Sequence, residues 1–533
     1  MLVAGPLRVV LVKPSKYAED GWVERFRWGF MPNSTLAHLA SLTASHAPPG
    51  GGPRPEAVAI DEYVHTDLCY LDLLRRDPRR PTLLALVGVQ SHQLHRALDL
   101  AALARSRGVE HCIVGGPHPM TCDTAALQGR GLSFALAEAE MVWPQVLADA
   151  AAGELSPVYG RATRWQEQLD PPPVAPPSRR DLSRYLVRLL GIYPARGCPY
   201  TCNFCSVIKI AGRQMRTQPV ATTLASLAAA RAAGVRWIIF TSDNFNKYPE
   251  VRELLRGMIA EDLRLPFFAQ CDVQIERDEE LVELMAGAGC FQVFVGAESF
   301  SREALRGAHK FQNHPERYQR IVDLCRRHGI TSHFSNILGF PSDTEASIRE
   351  HLRTLCALAP DVASFYLLTP IPGTDQYGDF LAAGRITEPN LDRYDGTGVT
   401  WRHPHLEPEA WRRLLFHCYR EFYAAGRSAA TLHRWMRPPW DARRRAALAA
   451  VAGYPVQSRL AARAQAHPMA GGVGRRRCDR AADYLPLRRE TFGFDLAPLP
   501  ENLPLSPADE ALNRRARLPP NDPSLGAALA AAS

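Results

Sequence analysis

A doubly covered parallel α/β domain, a partial (β/α)6 barrel and a helical C-terminal region are the architecture that this 533-residue sequence predicts. Three observations carry that expectation. Apolar runs alternate with amphipathic helical stretches over the first part of the chain. A Pro-rich segment, DPPPVAPPSRRD from Asp170 to Asp181, interrupts the series. A second strand-and-helix series follows it, and from Trp401 the pattern turns helical.

The elements read in order. RVVLVKP from Arg8, EAVAIDEY from Glu56 and TLLALVGV from Thr82 are apolar runs of strand length. QLHRALDLAALARSRG, from Gln93, is an amphipathic helix stopped at Gly108. HCIVGGPH from His111 and LSFALAEAE from Leu132 are further strands. Strands apolar on both faces and joined by helices form a parallel sheet with both sides covered, so residues 1–169 read as a Rossmann-like domain. Proline can continue neither a helix nor a central strand, which makes 170–181 a linker. The second series has strands GIYPARG (from Gly191), RWIIFTS (Arg236), LPFFAQC (Leu265), FQVFVGAES (Phe291), TSHFSNILG (Thr331) and DVASFYLLTP (Asp361). These place a partial barrel over 182–385, with its site at the carboxyl ends of the strands. A helical domain is expected over 386–466, and an Arg-, Pro- and Ala-rich, poorly ordered tail over 467–533.

Composition narrows the function classes. Hydrophobic content of 46% and charged content of 22% are those of a globular protein. No run of eighteen apolar residues is present, so no membrane span is expected. MLVAGPLRVVLVKPSK turns polar too soon for a signal peptide, and a cytoplasmic location is the expectation. The net charge of +8 draws on Arg475, Arg476 and Arg477, read as a solvated basic face rather than a nucleic-acid surface. Twelve Cys in a large chain without a secretion signal read as free thiols, with Cys112, Cys325 and Cys356 as small core residues.

The chemistry lies in ARGCPYTCNFCSV. Cys198, Cys202 and Cys205 stand on one short loop directly after a strand. Three thiolates suit three irons of a [4Fe–4S] cube and leave the fourth iron open to chelation. A zinc site would ask for four ligands in paired groups, and no fourth lies nearby.

This Cys-x-x-x-Cys-x-aromatic-Cys pattern, with Phe204 in the aromatic place, resembles the radical S-adenosylmethionine (SAM) superfamily. The resemblance implies a cluster that cleaves SAM to a 5′-deoxyadenosyl radical. It extends along the barrel: SDNF (Ser242 to Phe245) matches the strand end that meets the SAM amino group, with Asp243 and Asn244 as candidates. VGAES carries Glu298, for the ribose or methionine part. SNILGFPSDTE (Ser335 to Glu345) matches the adenine motif near Ile337, with Ser335 in the same set and Gly339 permitting close approach. TPIPGT (Thr369 to Thr374) resembles the sixth strand ending.

A Rossmann-like domain ahead of such a barrel is similar to the cobalamin-binding class, which includes methyltransferases and the anaerobic porphyrin cyclase group; the match covers residues 8 to 375. It implies cobalamin beside Gly115, Gly116, Ser91 and His118. The older Asp-x-His-x-x-Gly motif is absent: the first loop reads KPSK, Lys13 to Lys16, and Asp61 and His65 have the wrong spacing. The cobalt is therefore expected to lack a protein imidazole, its lower face empty or water-bound, with His65, His92 and His118 read as nearby side chains rather than ligands. The implied function is methyl transfer to an unactivated carbon of a small-molecule substrate, with a flavodoxin or ferredoxin as electron donor. Cyclisation or rearrangement without methyl transfer is the alternative. A tRNA methylthiotransferase would need cluster ligands in the first domain, and Cys69, Cys112 and Cys122 do not form its motif. A non-catalytic cobalamin or redox sensor would not need the complete thiol triad and SAM-loop motifs.

Overall fold

β1 (Arg8–Lys13) is buried at every position, as a central strand between two helical layers must be. The computed structural model describes residues 5–48, 51–160, 164–463 and 471–515. β2 (Arg25–Gly29) leaves the main sheet, while β3 (Glu56–Asp61), β4 (Thr82–Leu86), β5 (His111–Gly115), β6 (Ser133–Ala135) and β7 (Val158–Tyr159) join β1. All pairings in this sheet are parallel and its order is β3-β1-β4-β5-β6-β7. Side chains alternate between two cores. Val10, Val12, Leu84 and Leu86 meet the Ala-rich helix Leu94–Ser106, whereas Val9, Leu11 and Leu83 meet helices Ser34–Ser45 and Ala139–Ala152.

The linker region is tied to both halves. Ala175 N–H donates to Ser41 Oγ of the first domain at 2.9 Å, and Val174 N–H to Ser226 Oγ of the second at 2.9 Å.

The second sheet contains all six expected strands: β8 (Leu189–Ile192), then, beyond the short hairpin β9 (Ala195–Arg196) and β10 (Arg216–Thr217), β11 (Trp237–Phe240), β12 (Phe267–Cys271), β13 (Cys290–Glu298), β14 (Thr331–Leu338) and β15 (Val362–Leu367). They run parallel in the order β8-β11-β12-β13-β14-β15 without closing. An open β15 edge would expose unpaired backbone. Helix Pro408–Phe422 covers it: Tyr419 Oη accepts from Phe365 N–H at 3.0 Å and donates to Phe365 O, and Tyr423 Oη does the same at Ala363. The expected helical region thus shares one core with the barrel, since Trp411, Leu414 and Cys418 pack with Phe334, Leu338 and Phe365.

The tail expectation is corrected for residues 471–515; residues 467–470 and 516–533 lie outside the described residues. β16 (Gly472–Arg476) pairs antiparallel with β2, and helices Ala481–Phe492 and Pro507–Arg515 follow. Buried charge attaches this segment together with apolar contacts, since Phe492 and Ala497 join the first-domain core. Asp479 reaches Arg96 at 2.9 Å beside Glu62, and Arg488 chelates Asp99. Among the core Cys expectations, Cys112 and Cys325 are buried, while Cys356 is only partly so. No helix among the described residues is long and apolar enough to cross a membrane.

Candidate active site

The carboxyl ends of the two sheets face a common cavity of about 960 Å³. The first sheet contributes Gly88 to His92 in part, Gly115 to His118 and Glu138 with Glu140, from the loops after β4, β5 and β6. The second contributes Tyr193, Arg196, Phe204, Asp243, Gln270, Glu298, Ser335, Ile337 and Tyr366. Strand carboxyl ends are where α/β folds place ligands, because loops and helix N-termini converge there.

The thiol loop hangs from the β9–β10 hairpin. Gly197 has φ +99°, and a Cβ there would lie 2.2 Å from Gln214 O, so the loop turns where only glycine fits. Gly197 N–H donates to Asp243 Oδ2 at 2.9 Å, Cys198 N–H to Gly212 O at 3.2 Å, and Asn203 N–H to Ala308 O at 3.2 Å. Burial pushes the Cys198 thiol up to about 11 and the Cys205 thiol to about 12, and the neighbouring thiols, Cys202 included, add to both shifts. Cys202 itself is buried. Amide donors address the sulfurs: Asn244 Nδ2 lies 3.9 Å from Cys198 Sγ, and Gln312 Nε2 3.8 Å from Cys202 Sγ. Among the described residues no three His, Cys, Asp or Glu converge on a single-ion position. A mononuclear zinc site needs such convergence; a cube binds each thiolate to a different iron.

Around the loop, Phe204 packs edge-on to Phe340 and lies under Lys310, whose Nζ is 5.7 Å from its ring centre. Lys310 pairs with Glu298 at 2.7 Å, and Ser335 Oγ donates to the other Glu298 oxygen at 3.0 Å. Glu298 has φ +63°, an uncommon conformation for a residue with a side chain, held by these partners at a strand end. Burial pushes the Asp243 carboxyl up to about 6, against the Gly197 N–H and Arg196.

Most sequence-expected residues meet in the cavity: Phe204, Asp243, Glu298, Ser335 and Ile337 on the barrel side, Ser91, Gly115, Gly116 and His118 on the other. Two do not line it. Asn244 turns to Asp272, donating at 2.8 Å and accepting at 3.1 Å, so it braces the thiol loop from behind. Gly339, φ +90°, makes room for Trp411, whose ring atom Cζ2 a Cβ would meet at 2.1 Å; the close approach is internal. Gly116 likewise, at φ +133°, would meet Val89 N at 2.2 Å, so it also lets two strand-end loops touch. Ser91 Oγ and His118 Nδ1 are 3.0 Å apart, and burial depresses His118 and His92 to about 3, leaving neutral imidazoles in the wall. His65 is turned away to Asp61 O at 2.6 Å. Absence of the older motif therefore does not remove imidazole from the cavity.

Sequence reading missed Lys310, Gln312, His38 and the Glu138, Glu140, Arg196, Arg216 group. The available signal was charge inside strand-end segments: AEAE after β6, PARG before the first thiol and HKFQN after the fourth barrel strand.

Residues 192–355 match the model of the radical SAM superfamily. The chain is 24% identical over 363 residues to bacteriochlorophyllide d C-8(2)-methyltransferase of Chlorobaculum tepidum, covering 63% of this chain and 77% of that one. In fold it is similar to the radical SAM methyltransferase TsrM of Kitasatospora setae, solved with tryptophan and a SAM analogue: TM-score 0.57, 20% identity, 72% of this chain and 78% of that one. It is similar too to the cobalamin-dependent radical enzyme OxsB, solved with aqua-cobalamin and SAM: TM-score 0.57, 13% identity, 85% and 72%. The matched segment opens six residues before the first thiol and runs through Ile337, so the likeness to the radical SAM superfamily covers the thiol loop and most of the barrel side of the cavity.

Proposed function

We propose that this protein is a cobalamin-dependent radical SAM methyltransferase that methylates an unactivated carbon of a small molecule. The observation that carries the reading is one cavity lined by the strand ends of both sheets and by Phe204 and Ser206 of the thiol loop. Methyltransferases of bacteriochlorophyllide, tryptophan and hopanoid substrates among its relatives support it.

The residues present fit the implied groups. Cys198, Cys202 and Cys205 would hold a [4Fe–4S] cluster, and the amides of Asn244 and Gln312 address two of their sulfurs. Glu298, Ser335, Ile337, Phe204 and Asp243 would hold SAM on the barrel side. Gly115, Gly116, Ser91 and His118 would border cobalamin opposite. When bound, these groups supply the electron that splits SAM and the methyl group that is transferred. The chain's own part is placement. Glu298, locked by Lys310 and Ser335, offers fixed acceptors. Phe204, Ile337 and Tyr366 would give that side of the cavity apolar surface against which substrate could be held away from water. A small acidic electron carrier, flavodoxin or ferredoxin, would deliver the electron.

The test is anaerobic reconstitution of the full chain. It should take up about four irons, and Cys198→Ala, Cys202→Ala and Cys205→Ala combined should take up none, while Cys325→Ala keeps the cluster. Hydroxocobalamin should bind without displacing SAM. Iron retained by the triple variant rejects the cluster assignment, and failure to bind cobalamin rejects the methyltransferase reading. Formation of 5′-deoxyadenosine with no label passing from the SAM methyl group to product identifies cyclisation instead.

A further inference from the structure

The base of the thiol loop carries two arginines side by side. Arg196 and Arg216 are direct partners across the antiparallel β9–β10 hairpin. Like charges directly opposite in a hairpin repel, and burial strengthens the effect: the Arg216 side chain is 1% exposed. On the barrel side the pair meets Asp243 nearby and the Ala211 carbonyl; its ion pairs come from the first sheet. Glu138, just past β6, takes both Arg216 nitrogens at 2.7 Å and Arg196 at 3.2 Å. Glu140 takes Arg196 at 2.5 Å and 3.1 Å, and accepts from or shares a proton with His38 Nε2 at 2.7 Å. Both carboxylates sit at the N-terminus of helix Ala139–Ala152, where the exposed N–H groups favour negative charge. Glu138, Glu140, His38 and Arg196 also line the cavity.

We propose that Glu138 and Glu140 are positioning residues that lock the thiol loop to the first sheet, so that the site at the ends of β5 and β6 and the thiol loop behave as one energetic unit. The proposal rests on the reading that the loop holds a cluster. An occupant that orders the strand ends of the first sheet fixes the two carboxylates, which fix Arg196, two residues before Cys198. By linkage, the effect runs equally in both directions.

The experiment uses the reconstituted full-length protein and measures iron release to an excess of chelator, with and without hydroxocobalamin. In the wild type, hydroxocobalamin slows release. E138Q and E140Q should each release iron about tenfold faster, because half of a buried charge lattice is left unmatched, and hydroxocobalamin should no longer slow them. Arg196→Lys keeps the charge but loses the fork, and should fall between. E350Q, which breaks an exposed pair with Arg353, should match the wild type. Wild-type release indifferent to hydroxocobalamin, or variants that keep the wild-type rate, overturns the proposal. A second measurement needs neither cluster nor cobalamin: amide exchange across residues 196–217 of the metal-free chain should quicken in E138Q and E140Q. Unchanged exchange in a chain that binds iron sinks the lock alone. Quickened exchange in a chain that binds no iron sinks the cluster reading and leaves the lock standing.

Discussion

At the scale of single residues, the site is built from side chains with two duties. Gln312 and Asn244 are amides aimed at sulfur. Hydrogen bonds to cluster sulfurs raise the reduction potential by stabilising the extra negative charge of the reduced state. Gln312→Ala should therefore keep its iron yet show a more negative potential in an EPR-monitored titration; an unshifted midpoint removes Gln312 from that role. Asp343 tests the opposite case, in which burial opposes charge. It accepts from Gly339 and Phe340 N–H at 2.9 Å each, but burial outweighs these bonds and pushes its carboxyl up to about 6. A folded-state value above the unfolded one means that the folded chain holds the proton more tightly. Stability then falls as pH rises from about 4 to about 6, and stays lowered above that. Asp343→Asn keeps an acceptor for both N–H groups without the charge. It should raise the melting temperature at pH 7.5 by more than at pH 4.5, and equal shifts at the two pH values contradict the argument.

At the scale of elements, the barrel depends on how its strand ends and its open edge are finished. Gly339 ends β14 against the Trp411 ring. Gly339→Ala adds both a left-handed strain and a clash, together about 2–4 kcal/mol, and should lower the melting temperature while displacing helix Pro408–Phe422. On β15, Tyr419 and Tyr423 occupy the backbone groups that an edge strand leaves open. Removing both hydroxyls leaves buried N–H and C=O groups unpaired, at about 1–3 kcal/mol each. The double Tyr→Phe variant should be less stable and aggregate on mild heating, as followed by light scattering. Neither device follows from strand periodicity, since one is a packing contact and the other a pairing of an edge with a helix that begins some forty residues later.

At the scale of the whole molecule, the segment 471–515 straps the two halves together. Asn502 binds Gly373 N–H and Thr374 O at 2.9 Å each, beyond β15, while Leu503 N–H donates to Thr121 O at 2.8 Å, beyond β5. Arg488 and Asp479 complete charge clusters inside the first domain. Truncation after residue 466 would leave Arg25 and Arg96 sharing Glu62 alone, and Asp99 without its arginine. Removing partners from buried charges costs about 3–5 kcal/mol. The truncated chain should thus lose hydroxocobalamin binding, measured by retention on gel filtration, well before it loses its cluster. For the same reason residues 1–169 should not fold alone, and full binding by that isolated piece contradicts the strap.

Residue order alone pointed to the thiol triad and gave the order and type of the strands of both main sheets except β7. These depend on spacing over a few residues and on the alternation of apolar runs, which are local properties of a chain. It also named residues on both sides of the cavity, among them Ser91, His118, Phe204, Asp243 and Glu298, because motifs at strand ends are local. It did not show the partners of Asn244 and Gly339, Asp272 and Trp411, which sit on other elements. It missed Lys310, Gln312 and the carboxylates that meet Arg196 and Arg216, because a charged side chain looks the same in sequence whether it faces water or a buried partner. The tail was misread in part for that reason: much of its attachment is long-range, through buried Phe492 and Ala497 and through ion pairs such as Arg25 with Asp479, 454 residues apart. Only the folded chain brings such charges together, because burial of an ion is tolerated where its counter-ion arrives with it.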